Sequence, residues 1–163
     1  MDERLLHRLK EITEEERAIL DGQQEIQRAR YGAGRDFVVD SEKMLEKGKL
    51  IEIRPHTRFV HFPRHRHNYV EVLYMCSGST THILNGTSRM VLHTGDLLFL
   101  NQAVYHEILP ASEEDVGVNF IILPQFFDRS FRMLEQENVL RDFLVSTLSE
   151  TSTFAGWLHI AAG

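Results

Sequence analysis

The spacing of apolar positions changes twice along this chain. Near the N-terminus Leu5, Leu6, Leu9 and Ile12 recur on one helix face, and Ile19 and Leu20 follow in a second helical stretch. Thr13 with Glu16 three residues on is a capping-box signature, so a new helix is expected to begin there, with Gly22 at its end. Residues 2–21 are thus predicted helical, either packed on the outside of their own domain or offered to a partner. Residues 23–48 are polar. Gly32 and Gly34 are assigned to a loop, because no strand precedes them as a phosphate-binding loop would require. Residues 41–48 are expected to make one helical turn ended by Gly48.

From Leu50 the pattern becomes β. Short strands are read at 50–54, 57–62, 67–75, 80–84, 87–92, 96–100, 106–109 and 116–123, most of them separated by proline, glycine or asparagine. Asn85-Gly86 is the strongest hairpin signal, since both residues tolerate positive φ. Strands of this length and spacing imply a sandwich or barrel. After Pro124 come Phe126, Phe127, Phe131, Met133 and Leu134. A helix capped by Asn138 then follows, with Val139, Leu140, Phe143, Leu144 and Leu148 on one face. Residues 152–160 read as a last strand. Ending on an apolar strand followed by Ala-Ala-Gly suggests a piece of a longer protein. The expected organisation is an N-terminal helical extension over 1–48 and a barrel over 49–163 that carries a helical insertion at about 125–150.

The chain has 163 residues, 42% of them hydrophobic and 26% charged, which fits one ordinary globular domain with a core of its own. Its net charge of −6 argues against a nucleic-acid-binding surface, which needs a basic stripe. The single cysteine, Cys76, excludes an internal disulfide and fits a reducing compartment. No apolar run reaches the ~20 residues of a membrane span, and no signal peptide is visible, so the reading is cytoplasmic.

Chemistry concentrates in PRHRHNYVEVLYMCSG, residues 63–78. In an unbroken strand His65, His67 and Glu71 would share one face with Tyr69, Leu73 and Met75, while Val70, Val72, Tyr74 and Cys76 would face the other way. Two imidazoles and a carboxylate on a buried face form a metal site, a polar ligand pocket or a satisfied hydrogen-bond cluster, and the three readings stay open here. His106, after the Thr94-Gly95-Asp96 turn and the strand that follows, is the fourth candidate. Tyr69, Leu73, Met75 and Phe99 are expected to line the interior. His56 and His61 are expected at the surface or rim, and His7, His82, His93 and His159 solvated or satisfied by neighbours. Arg66 should point away from His65 and His67. Cys76, facing away from the histidines with no base beside it, is not expected to be a nucleophile.

The order His65, His67, Glu71, Gly78, then Gly95 and His106, resembles the two motifs of the cupin superfamily. Phe59 stands where the first motif has its leading glycine. Asn101, Ala103 and Pro110 replace the proline, second glycine and asparagine of the second motif. The wider phrasing RHRHNYVEVLYMCSG, HTGDLLFLNQAVYHEI and VNFIILPQFFDR is similar to the sensor domain of AraC-type transcriptional regulators. The resemblance implies a mainly β cupin fold, a double-stranded β-helix or jelly-roll-like barrel with flanking α-helices. It further implies a ligand site at His65, His67, Tyr69, Glu71, Leu73, Phe99 and His106, and a set able to hold one divalent transition metal (Zn, Ni, Fe or Mn) at His65, His67, Glu71 and His106. No organic cofactor is expected. The implied partners are a small-molecule effector, a second copy in a homodimer, and DNA only through a helix-turn-helix region absent from this chain. The alternative is a small metal-dependent cupin enzyme, an oxygenase or isomerase.

Overall fold

The computed structural model describes residues 2–130, 142 and 156–163. Two short helices come first, α1 (Glu3–Leu9) and α2 (Glu14–Leu20). The capping box at α2 is present: Thr13 Oγ1 accepts from the Glu16 N–H, and the Glu16 carboxylate accepts from the Thr13 N–H. Of the two apolar residues read there, Ile19 is buried and Leu20 is exposed. A single 3₁₀ turn (Arg28–Arg30) leads to strand β1 (Val38–Val39) and to α3 (Ser41–Met44), which Asp40 caps. Strand β1 lies in the polar stretch 23–48, where no strand was expected. Two residues carry too little periodicity to be seen, and they are strand only because they pair in parallel with a later segment.

The β region follows as β2 (Ile51–Pro55), β3 (Phe62–His67), β4 (Val70–Ser77), β5 (Ser79–Leu84), β6 (Ser88–His93), β7 (Leu97–Leu100), β8 (His106–Ile108) and β9 (Val116–Ile122), then α4 (Gln125–Ser130) and β10 (Trp157–Ile160). They form two five-stranded sheets, β1-β3-β8-β5-β6 and β10-β7-β4-β9-β2. Inward residues of both sheets meet in one layer: Leu73, Met75, Leu98 and Leu100 from one, Leu84 and Leu92 from the other. The fold is thus mainly β and of the cupin type, as expected. At Asn85-Gly86 both φ values are positive, and the Thr87 N–H donates to the Leu84 carbonyl at 3.1 Å. Among the described residues no helix is long and apolar enough to cross a membrane. Of the helix read after Asn138 only residue 142 is described, and it is helical; residues 152–155 of the last expected strand lie outside the described residues.

Two strand assignments change. Residues 57–61 are not a strand, and residues 62–67 form β3, which ends before Asn68. His65 and His67 therefore sit in one sheet and Glu71 in the other. Pro63, expected as a turn, lies inside β3 where the register to β8 slips between Phe62 and His65. A bulge leaves a residue out of the ladder, so a proline without an N–H is tolerated there. The slip also places Phe62 and His65, three residues apart, on the same buried face.

Both glycines of the resemblance have a steric reason. Gly78 has φ 68°, and a Cβ there would lie 2.3 Å from Asp115 Oδ1 and 2.8 Å from backbone of the same loop. Gly95 has φ 94°, and its Cβ would lie 2.7 Å from the Ala162 side chain. Phe59, in the place of the missing first glycine, still adopts φ 69°, a conformation unfavourable for a bulky residue.

Candidate functional site

His65 and His67 point inward from β3, Glu71 from β4, and His106 from β8, where it pairs directly with His65. Nitrogens of His65, His67 and His106 lie within 4.8 Å of one another, and all three residues are buried. Glu71 borders this triad from the opposite sheet, its Oε2 3.4 Å from His67 Nε2 and 3.7 Å from His106 Nε2. The convergence arises because the chain turns at Asn68-Tyr69 and crosses from one sheet to the other.

The other predicted residues divide. Tyr69 is buried beside His67, with ring centroids 4.8 Å apart. Leu73 is inward but belongs to the apolar layer with Met75 and Leu98. Phe99 must be corrected. It pairs with Val72 and packs on the outer face of its sheet with Phe127 and Leu158, because Leu98 and Leu100 take the inward positions of β7.

Two further histidines join the cluster: His56, which was expected at the surface or rim, and His82, which is satisfied by its neighbours Thr80 and His106. His56 is buried rather than at the rim, its N–H tied to the Gly117 carbonyl at 2.9 Å. His82 projects inward from β5 between Thr80 and Leu84, and its Nδ1 lies 3.4 Å from His106 Nδ1. Its rings run parallel to those of His106 at 5.7 Å, and His56 follows at 5.8 Å. The available signal was the parity of Thr80, His82 and Leu84, but Ile83 on the other parity made either face plausible. His56 carried no such signal, since its position depends on Gly117 admitting it.

Burial sets the charge state of the cluster. It lowers the pKa of His56 and of His65 to about 4, and takes His67, His82 and His106 well below the usual imidazole value. The same cause pushes the Glu71 carboxyl up to about 8. At neutral pH the site therefore holds neutral imidazoles and a largely protonated carboxyl, which would release its proton to solvent when a cation binds beside it. His65 Nδ1 lies 2.8 Å from the Pro63 carbonyl, which can only accept, so Nδ1 carries the proton and Nε2 keeps its lone pair. His67 Nδ1 and His106 Nε2 are buried and have no hydrogen-bond partner. Neutral imidazoles with orphaned nitrogens beside an ionisable carboxyl fit a divalent transition metal.

A cavity of about 720 Å³ reaches this cluster from outside. Its inner wall includes His56, His65, His67, Tyr69, Glu71 and Asn119, and the rest of its lining comes from the N-terminal segment, with Glu15, Tyr31 and Met44, and from β2 and the residues after it, with Glu52, Arg54 and Thr57. His106, Leu73 and Phe99 are not part of the wall. His56 Nε2 and Asn119 Oδ1 lack a partner in normal hydrogen-bond geometry, although the Asn119 amide is near enough to counter part of the effect of burial on His56. Arg66 turns outward over the Tyr105 ring. Cys76 is buried in an outer cluster, and burial pushes its thiol up.

Residues 49–145 match the family model of the AraC-like ligand binding domain. The chain belongs to that family. Among solved structures, this AraC-like domain is similar to apo ToxT from Vibrio cholerae, at 11% identity and TM-score 0.49, over 73% of this chain and 44% of that one. It is also similar to a cupin protein from Bacteroides fragilis, at 23% identity and TM-score 0.36, over 45% of this chain and 63% of that one. KdgF from a Halomonas species is similar at 13% identity and TM-score 0.37, over 48% of this chain and 84% of that one. The AraC-like domain thus spans less than half the length of the ToxT chain. No curated protein matches it.

Proposed function

We propose that this AraC-like domain is the effector-sensing part of a cytoplasmic transcriptional regulator, and that a small polar molecule binds in the 720 Å³ cavity. The observation that carries the reading is the position of that cavity, between the N-terminal segment and the inner wall formed by His65, His67, Tyr69 and Glu71. A ligand there touches both bodies at once. It can thus favour one arrangement of the N-terminal segment over another, which is what a regulatory shift requires. In this reading the regulator works as a homodimer and meets DNA through a helix-turn-helix region that residues 1–163 do not include.

His65, His67 and His106 would hold one divalent transition metal, with Glu71 as the neighbouring carboxylate. Such an ion would supply a Lewis-acid centre at the inner end of the cavity. The His triad is also the observation that favours the second reading, a small metal-dependent oxygenase or isomerase.

Three measurements test this. A thermal-shift screen of small polar metabolites, followed by calorimetry, should yield a ligand whose binding is lost in Tyr69→Ala and kept in Phe99→Leu. Equal loss in both would remove the cavity from the account. Metal content of protein prepared without chelator should fall in His67→Ala, and equal content in both proteins would end the metal assignment. Turnover of a substrate by the metal-loaded domain, with no effect of any ligand on transcription by the intact gene product, would favour the enzyme.

A further inference from the structure

His82 has no place in the cupin motifs, yet it is 1% exposed and in contact with His106. We propose that His82, braced by Thr80, fixes His106 with its proton on Nδ1 and so presents the Nε2 lone pair to the triad. The role in metal binding rests on the metal assignment above; the tautomer itself does not.

The polarity follows from counting protons. Thr80 Oγ1 lies 3.3 Å from Met75 Sδ and 3.1 Å from His82 Nε2. A hydroxyl has one proton, and a thioether can only accept. With that proton on Met75, Thr80 Oγ1 accepts from His82 Nε2–H. His82 is neutral, so its Nδ1 is then bare and must accept from His106 Nδ1–H across the 3.4 Å contact. His106 Nε2 is left with a lone pair. The reverse polarity would put a proton on His106 Nε2, whose nearest acceptor on the facing sheet, Glu71 Oε2, is 3.7 Å away. That would bury an N–H with no acceptor, which is rarer and costlier than an under-used lone pair, and would forfeit the Met75 contact. His65 is fixed in the same sense by the Pro63 carbonyl. Two ligands then offer Nε2 lone pairs through two different supports, a backbone carbonyl for His65 and a side-chain relay for His106. Supports of this kind orient imidazole ligands and typically change metal affinity ~10–100-fold when removed.

The test is long-range ¹H–¹⁵N correlation spectroscopy of the imidazole rings in chelator-treated, ¹⁵N-labelled protein, with zinc affinity from chelator competition. Wild type should show His106 as the Nδ1–H tautomer. His82→Phe should shift His106 to the other tautomer or a mixture and weaken zinc ~10–100-fold. Thr80→Val should do the same more weakly, and Thr80→Ser, which keeps the hydroxyl, should restore the wild-type spectrum. His106 found with its proton on Nε2 in wild type would overturn the proposal. So would an unchanged His106 tautomer in both His82→Phe and Thr80→Val. If wild type takes up no zinc, the metal assignment fails while the spectra still decide the tautomer.

Discussion

Glu16 and Arg58 are 1% and 2% exposed, and His67 and His106 are 2% and 1% exposed. Both groups are buried polar clusters, yet their pairing differs. Glu16 takes Arg58 Nε at 2.7 Å, Nη2 at 2.9 Å and the Arg58 N–H at 3.1 Å. The guanidinium also donates to the carbonyls of Glu113, Lys10 and Glu11. This cluster fastens α2 to the barrel and leaves nothing for a ligand. The histidine cluster keeps His67 Nδ1, His106 Nε2 and His56 Nε2 unpartnered. Burial alone does not mark a site. Burial with unfinished pairing does, because such atoms cost stability unless a ligand meets them.

The largest expected effect breaks the finished cluster. Arg58→Leu leaves the Glu16 carboxylate buried and unpaired, and should cost about 3–5 kcal/mol in urea unfolding. The double variant with Glu16→Leu should recover much of that loss; simple additivity would show that the two do not act as a pair. Next, zinc at a hundredfold excess over its Kd should stabilise the domain by about 2.7 kcal/mol if the triad binds it, and His67→Ala should abolish the gain while Arg58→Leu keeps it.

The unfinished cluster should also be the pH-sensitive one. His56 and His65 titrate near 4 when folded and near 6.5 when unfolded. The unfolded chain binds more protons between those values, so their contribution is complete above about pH 6.5 and is lost on acidification. Glu71, moved from 4.5 to about 8, acts in the opposite sense, since the folded chain keeps its proton longer and stability falls as pH rises through that window. Between pH 6.5 and 5 the loss from these two histidines exceeds the gain from Glu71 by about 1 kcal/mol, and His67, His82 and His106, lowered in the same sense, add to it, so metal-free protein should lose stability on acidification. His56→Leu should flatten that slope, and an unchanged slope would mean that His56 is not neutral in the fold. The smallest effect is Thr13→Ala, which removes the cap of α2 and should cost about 1 kcal/mol while zinc uptake is untouched.

The strand pattern, the Asn85-Gly86 turn and the capping box were legible because each is a local choice of backbone conformation. His65, His67, Glu71 and His106 stood out because their residue types and spacing can be read directly from the chain. Phe99 was misplaced because the reading had no partner strand to fix parity, and only the pairing of Val72 with Phe99 and of Leu73 with Leu98 decides which face is inner. The break at Asn68 that puts His67 and Glu71 on different sheets was hidden for the same reason: one strand with period two predicts the same convergence as two facing strands.

By itself, then, the sequence determined the fold class and pointed to four residues that the structure brings together, through periodicity, turn chemistry and spacing. Tertiary structure alone decided that His56 and His82 join them, that α2 is held by a completed ion pair, and that a cavity lies between the N-terminal segment and the barrel. Those features depend on which residues distant in sequence share a strand face or approach across a gap, and no local pattern encodes that distance.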